Sequence, residues 1–397
     1  MGFLEHVRLA YSAISTDGVK LIESGRYEEA IEHYDEILEI NPEYDIAWIC
    51  KGICFHKLEK YTEAIEAYNE SLEINPENAE AWLNKGITLE ELGRYQDALE
   101  AYNHALNINL KYTEAWTGKG NSLFELDRYD DALEAYNNAL KIDSKNAVAW
   151  LGKGIVLAEM EEYWKALEAF DKALELDPKL VDTWYNKGTV LGDLGRFQEA
   201  LESFDKALKI DLNNFSVWNN KGNILVDLGR NKEALNCYDK ALDINPKEPA
   251  ILTNKGCSLG NLGRYQYALE CYDKALEIDP ENINAWHGKA LSLSDLGKYT
   301  ESLECFDIVL ELEPKNDNAW TVRGIDQAEL GDYQESLDSY ETALELNPLN
   351  IGAWFEKGNS LKELGKFKEA LECYDIALNI DPDYEDALKA KKELLEN

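Results

Sequence analysis

Cys50, Cys54 and His56 stand closest to a metal-ligand arrangement in this chain. Zinc sites draw on thiolates and imidazoles, and a Cys-x3-Cys step on a helix sets both sulfurs on one side. One such step with no second pair does not make a site, and no CxxC occurs among the seven cysteines, so no metal is expected. Cys237, Cys271, Cys305 and Cys373 share one place in a recurring pattern where Ala67, Ala101, Ala135, Ala169 and Ser203 stand elsewhere. They read as small, reduced packing residues. The five histidines, at 6, 33, 56, 104 and 287, are scattered and assemble no nucleophile–base pair. The Walker loop, nucleophile elbow, zincin motif and dinucleotide fingerprint are all missing. Neither enzymatic activity nor a cofactor is expected.

What remains is the chemistry of recognition, carried by amides and carboxylates that recur. Trp48, Trp82, Trp116, Trp150, Trp184 and Trp218 are spaced 34 residues apart; Leu252 takes the next slot, and Trp286, Trp320 and Trp354 resume the phase. With Trp at position 4, eleven 34-residue units fit between Tyr11 and Tyr384, beginning at residues 11, 45, 79, 113, 147, 181, 215, 249, 283, 317 and 351. Position 13 is acidic in most of them, including Glu91, Glu125, Glu159, Asp193, Asp227 and Asp295. Position 6 is Asn84, Asn186, Asn220 and Asn254, and position 9 is Asn121, Asn223 and Asn359. Asparagine both donates and accepts hydrogen bonds, which suits an extended peptide backbone. Position 5 adds Tyr185 and Phe355 as candidate aromatic anchors.

The elements that must hold these side chains follow from the apolar spacing. Trp82, Gly86, Leu89 and Leu92 lie at i, i+4, i+7 and i+10, one stripe of a helix. Tyr95, Ala98, Leu99, Tyr102, Ala105 and Leu106 form a second, wider stripe. Gly at position 15 ends the first helix by taking the left-handed conformation, and Pro at position 32 marks the end of the second. Leu110, Ser144 and Leu212 replace that Pro, so their second helices are expected to run further. Asn78, Asn146, Asn214 and Asn282 are N-caps for the next first helix. Small residues at positions 8 and 20 bring the paired helices close, and the aromatics at 4, 17 and 24 fill the core. A wheel of the first helix places positions 2, 5, 6, 9, 12 and 13 opposite that core. Gln327 takes a position-11 slot that is almost always Leu, so a looser interval is expected there.

Trp-x3-Gly, Leu at 11, Gly-x-Tyr at 15 and 17, Ala at 20, Tyr or Phe at 24, Ala at 27 and Pro at 32 resemble the tetratricopeptide repeat, in register over residues 11–384. The resemblance implies an all-α fold of tandem helix-turn-helix repeats forming a right-handed α-solenoid superhelix. It also implies first helices lining a concave groove that binds peptides or proteins. Residues 1–10 would extend the N-terminus as a helix, and residues 385–397 would form a C-terminal capping helix. The asparagine ladder is similar to one in the repeats of the O-GlcNAc transferase family. A chaperone-type carboxylate clamp does not fit, because no Lys stands at position 5. Position 7, large and apolar in the family, is Lys51, Lys85, Lys119, Lys153, Lys187, Lys221, Lys255, Lys289, Arg323 or Lys357 here. Its stem is expected to pack against apolar surface while the cation pairs with an acid on a second helix.

The chain carries 77 acidic and 40 basic residues, a net charge of −37. Phosphate backbones and anionic lipid are repelled, so nucleic acid and membrane are not expected partners. The function expected is a non-catalytic, cytoplasmic, monomeric scaffold that holds a basic, extended peptide of a protein partner in its groove. The alternative is a structural protein that self-associates through its terminal hairpins, beginning with Ile14 and Leu21.

Overall fold

A computed structural model describes residues 16–396 of the chain. The expected helix over residues 1–10 and the start of the first unit, Ile14 included, lie outside the described residues. All regular structure among those residues is helical. Ten first helices, from Asp45–Lys57 to Ile351–Glu363, alternate with eleven second helices, from Tyr27–Ile40 to Phe367–Ile380. A short helix, Thr16–Glu23, precedes them and Glu385–Glu396 follows. No described helix is long and apolar enough to cross a membrane.

The chain divides into two compact units, Met1–Glu199 and Ala200–Asn397. Within each, a first helix packs on its own second helix and on the second helix of the preceding pair, as Ala79–Glu91 does on Tyr95–Ile108 and on Tyr61–Ile74. In the second unit Ala390 and Leu394 of the last helix pack on the cluster around Leu361, Cys373 and Tyr374.

Helix ends follow the local chemistry. Gly93 takes φ 67°, its N–H donating to Glu90 O and that of Arg94 to Leu89 O, which closes the first helix. Glu59, Asp127 and Glu161 replace that glycine and hold the same left-handed conformation. Asn78, Asn146, Asn214 and Asn282 accept from backbone N–H groups of the next helix through Oδ1. The second helices before Leu110, Ser144 and Leu212 stop at Ile108, Ile142 and Ile210, in register with those before Pro. They do not run further, because the extended residue after each helix and the next cap already turn the chain. That residue, as at Asn109 and Asp143, returns its N–H to the last turn.

The core lies in the seams between pairs. The largest fully buried side chains are position-24 rings, among them Tyr68, Tyr102, Phe170 and Tyr272. The slot tryptophans sit further out: Trp218 is buried and the other eight are half-buried. Each of the nine in the slot donates its indole N–H to the position-32 carbonyl of the preceding unit, as Trp116 does to Leu110 O (2.9 Å) and Trp184 to Pro178 O (3.0 Å), and the slot of Leu252 has no indole to give.

Seven position-7 cations pair with second-helix acids, and the acid belongs to position 25 of the preceding pair. Lys51 meets Asp35 at 2.6 Å, Lys289 meets Asp273 at 2.7 Å and Lys357 meets Glu341 at 2.9 Å. Lys119 and Lys153 donate instead to Asn103 and Asn137. The same ammonium lies over the tryptophan of its own pair, 5.1 Å from the Trp48 and Trp116 centroids. At Gln327 the interval is filled by polar bonds rather than loosened. Its amide nitrogen donates to Ser339 Oγ (2.7 Å) and Glu335 O (3.2 Å), and its oxygen accepts from Arg323 Nη1 (3.0 Å).

Candidate functional site

Positions 2 and 13 of the first helices offer side chains to solvent, and positions 9 and 12 do so only in part, with Asn121 exposed and Ile53 buried, whereas positions 5 and 6 largely do not. Ile49, Leu83, Thr117, Thr253 and Thr321 at position 5 are buried, and so is Asn84 at position 6. The wheel misplaced them because it assumes one packing partner. These helices have neighbours on two sides, and positions 5 and 6 face the preceding pair. Gly118 and Gly152 show it: a Cβ at either would meet the Tyr102 or Tyr136 ring of that pair at 2.4 Å.

The asparagines therefore occupy several environments. Asn84 is 7% exposed, its Nδ2 donating to Glu80 O, and Asn186 donates likewise to Asp182 O while half-exposed. Asn121 is exposed; its Oδ1 accepts from the Tyr136 hydroxyl at 2.8 Å, and its amide nitrogen has no partner among the described residues. Asn223 and Asn359 accept in the same way from Tyr238 and Tyr374. In the second unit Asn254 Nδ2 bridges Asn219 Oδ1 and Asn223 Oδ1, both at 3.1 Å, and Asn219 donates to Asn220. The position-9 amide thus pins the buried tyrosine of its own pair. Phe355 is half-buried, its ring against Tyr374 and Tyr384, and Tyr185 is half-buried as well.

Glu91, Glu125, Glu159, Asp193, Asp227 and Asp295 are all exposed. None is in an ion pair among the described residues, although many other acids are. Partial burial holds the Asp193 carboxyl above its ordinary range.

In the first unit these acids border two clefts. One, about 340 Å³, brings Glu91, Glu125 and Asn121 together around Val148, Leu151 and Ile155. The other, about 260 Å³, gathers Glu159, Asn186 and Asp193 and shares Ile155 with the first. Val148 is 53% exposed. Glu90 lies at the first cleft, accepting from Tyr102 and Ser122 hydroxyls at 2.7 Å each, and burial pushes its carboxyl upward. Sequence reasoning missed Glu90 and the apolar floor. The available signal was Val148 standing among Glu80, Glu114 and Asp182 at position 2.

Cys50 and Cys54 are buried, with burial pushing their thiols to about 11 and about 12. Thiols held protonated are poor metal ligands. His56 Nδ1 lies 3.0 Å from Thr88 Oγ1, and among the described residues no group of three or more His, Cys, Asp or Glu is placed to hold a metal.

Family models described as tetratricopeptide repeat match residues 21–44, 43–111, 113–146, 147–180, 181–214, 215–248, 249–282, 271–304, 317–350 and 352–384. No curated protein matches the chain. Among solved structures, a tetratricopeptide repeat protein from Parabacteroides merdae is 22% identical, with TM-score 0.51 over 63% of this chain and 99% of that one. The APC/C hetero-tetramer Cut9-Hcn1 is 15% identical, with TM-score 0.53 over 98% of both chains. YrrB, described as a TPR protein with an unusual peptide-binding site, is 29% identical over 48% of this chain and 98% of its own, with TM-score 0.41.

Proposed function

The chain belongs to the tetratricopeptide repeat family, and on that footing we propose that it is a non-catalytic interaction scaffold whose first-helix face holds an extended, basic segment of a partner protein. One observation carries this reading: Glu91, Glu125, Glu159 and Asp193 recur one pair at a time, exposed and outside any ion pair, beside clefts floored by Val148, Leu151 and Ile155. A segment with Lys or Arg toward the carboxylates and apolar side chains toward the floor satisfies both features. The free amide nitrogen of Asn121 is a donor for the backbone of such a segment. Its neighbours at position 13 supply charge, which sets on-rate and salt dependence more than affinity.

A fluorescein-labelled peptide of alternating Lys and Leu, followed by anisotropy, tests the proposal. Binding should tighten as salt falls, since the Debye length grows from about 10 Å at 0.1 M to about 30 Å at 0.01 M. The triple variant Glu91→Gln, Glu125→Gln, Glu159→Gln should flatten that dependence. Asn121→Ala should weaken binding at every salt concentration, because it removes a hydrogen-bond donor rather than a charge. A triple variant that keeps the wild-type salt slope would overturn the assignment to this face.

A further inference from the structure

Between successive second helices the repeats form a second kind of crevice. In the pair 113–146 it is lined by Leu99, Asn103, Trp116, Lys119, Arg128 and Asp131, and it encloses about 190 Å³. Its cations are both engaged. Arg128 holds Asp131 through Nε at 2.8 Å, and Lys119 donates to Asn103 while lying over the Trp116 ring.

The same crevice in the pair 249–282 departs from this pattern twice. Leu252 stands in the tryptophan slot, and Tyr267 stands where Asp131 does. The crevice there, lined by Leu235, Asp239, Lys255, Arg264, Tyr267 and Lys274, encloses about 600 Å³. Losing an indole wall accounts for the direction of that change. The charge balance changes with it: Lys255, Arg264 and Lys274 face Asp239 and Glu270 here, where Lys119 and Arg128 face Asp131 and Glu134. Arg264 has no acid at the place where Arg94, Arg196 and Arg230 find one in their own pairs, and it makes no side-chain hydrogen bond or ion pair with any described residue. Lys240 of the preceding pair lies 4.1 Å from the Trp218 centroid, whereas its counterpart Lys274 has no ring at Leu252 to cover. Lys255 keeps its 2.6 Å bridge to Asp239 but likewise lacks the ring that the other position-7 cations cover. Tyr267 is 61% exposed at the rim.

We propose that this crevice is a binding site for an acidic segment of a partner protein that carries an aromatic side chain next to a carboxylate. The incoming ring takes the space of the missing indole, against the Lys255 and Lys274 ammonium groups, which supply the cation–π contact that neighbouring pairs make internally. The adjacent carboxylate takes the fork of Arg264 that an acid at position 267 would otherwise occupy. In a chain of net charge −37 an unpaired guanidinium beside an indole-sized space selects an anion that the rest of the surface repels. This site is independent of the first-helix face and takes a ligand of opposite charge.

The test uses fluorescein-labelled acetyl-Glu-Trp-Glu-Glu, followed by anisotropy at low salt. Wild type should bind it, and the peptides with Ala for Trp or Gln for every Glu should bind at least about tenfold more weakly, a difference of about 1.4 kcal/mol. Leu252→Trp fills the slot with the residue its neighbours carry, and Tyr267→Glu restores a partner to Arg264. Both should keep the wild-type circular dichroism, since each restores what other pairs already have, and each should weaken binding at least about tenfold. The Lys-Leu peptide should bind Leu252→Trp as it binds wild type, which separates this site from the first-helix face. No binding by wild type, or unchanged binding by Leu252→Trp, would overturn the proposal.

Discussion

Replacing a mid-helix glycine by alanine ordinarily stabilises a helix by about 1 kcal/mol, because glycine loses more backbone freedom on folding. At Gly86 the structure reverses that sign. A Cβ there would lie 2.6 Å from Tyr102 Cε1 and 2.9 Å from Cδ1, whereas carbon atoms settle at about 3.5–4.0 Å. The ring must therefore move by roughly 1 Å. It cannot retreat, because its far side faces Gly118 of the next pair, where a Cβ would stand 2.4 Å from Cζ, and its hydroxyl is held by Glu90 at 2.7 Å. Overpacking of this kind costs about 1–3 kcal/mol, enough to exceed the helix gain. Gly260 is the control: it is also helical, and the nearest atom to its Cβ would be Ser292 Oγ at 4.0 Å. Gly86→Ala should lower the urea midpoint of the far-ultraviolet circular dichroism and speed amide exchange over residues 79–108, while Gly260→Ala should raise the midpoint. The chain contains its own precedent for relief. Ala290 occupies the glycine position in the pair whose ring is Phe306, which has no hydroxyl to anchor it. Gly86→Ala should accordingly cost less in a Tyr102→Phe background. A Gly86→Ala protein as stable as wild type would refute the packing of Tyr102 between two glycines.

Asp326 is fully buried, accepts from Ser294 Oγ at 2.5 Å and leaves Oδ2 without a partner, and burial raises its carboxyl above the ordinary value. The folded state then binds more protons than the unfolded one, so this group's contribution falls as pH rises from about 4 toward its raised folded value. Asp326→Asn should be more stable than wild type at pH 7 and should lose that advantage toward pH 4 in urea titrations; a pH-independent difference would show that Asp326 titrates normally. Asp35→Asn should cost at most about 1 kcal/mol, because the Lys51–Asp35 pair is partly exposed and asparagine already serves opposite Lys119 and Lys153. That difference should vanish in 1 M salt, where the Debye length is about 3 Å, and its persistence would mean the rung is held by something other than charge.

The period, the helix pairs and the caps were legible in sequence because each depends on a local signal: the Trp slot, the left-handed residue at position 15, the Asn before each first helix. Readings that failed needed knowledge of how a first helix packs on the preceding pair. Positions 5 and 6 looked outward on a wheel, yet Gly118 lies under Tyr102 of the preceding pair. The Lys51 cation found the expected kind of partner, but in Asp35, sixteen residues back and across the seam. The apolar floor at Val148 and Ile155 was hidden because isolated exposed apolar residues are ordinary on any surface. Only the clefts formed with Glu91, Glu125 and Asp193 join them to the carboxylates.

The repeat tolerates variation unevenly, and the pattern follows the packing. The residues that clash when enlarged, Gly52, Gly86, Gly120 and their equivalents at position 8, scarcely vary, because each faces a buried ring at 2.5–2.9 Å. Position 2 changes freely, from Ile46 to Val148 to Gly352, and position 9 varies between Ile53, which is buried, and Asn121, which accepts from the buried Tyr136 hydroxyl. Surface substitutions such as those at position 2 usually shift stability by less than about 0.5 kcal/mol. Recognition can therefore be written into positions 2 and 13 of one pair without disturbing the next, whereas position 12 is tied across the seam, as Glu90 is to Ser122 and Ser294 to Asp326. The pair 249–282 is the exception that locates a cost. Leu252 and Tyr267 give up an indole hydrogen bond, a cation–π contact and an ion pair together, in a single crevice. Losses that coincide in one crevice suit the proposed ligand, whose ring replaces the cation–π contact and whose carboxylate replaces the ion pair.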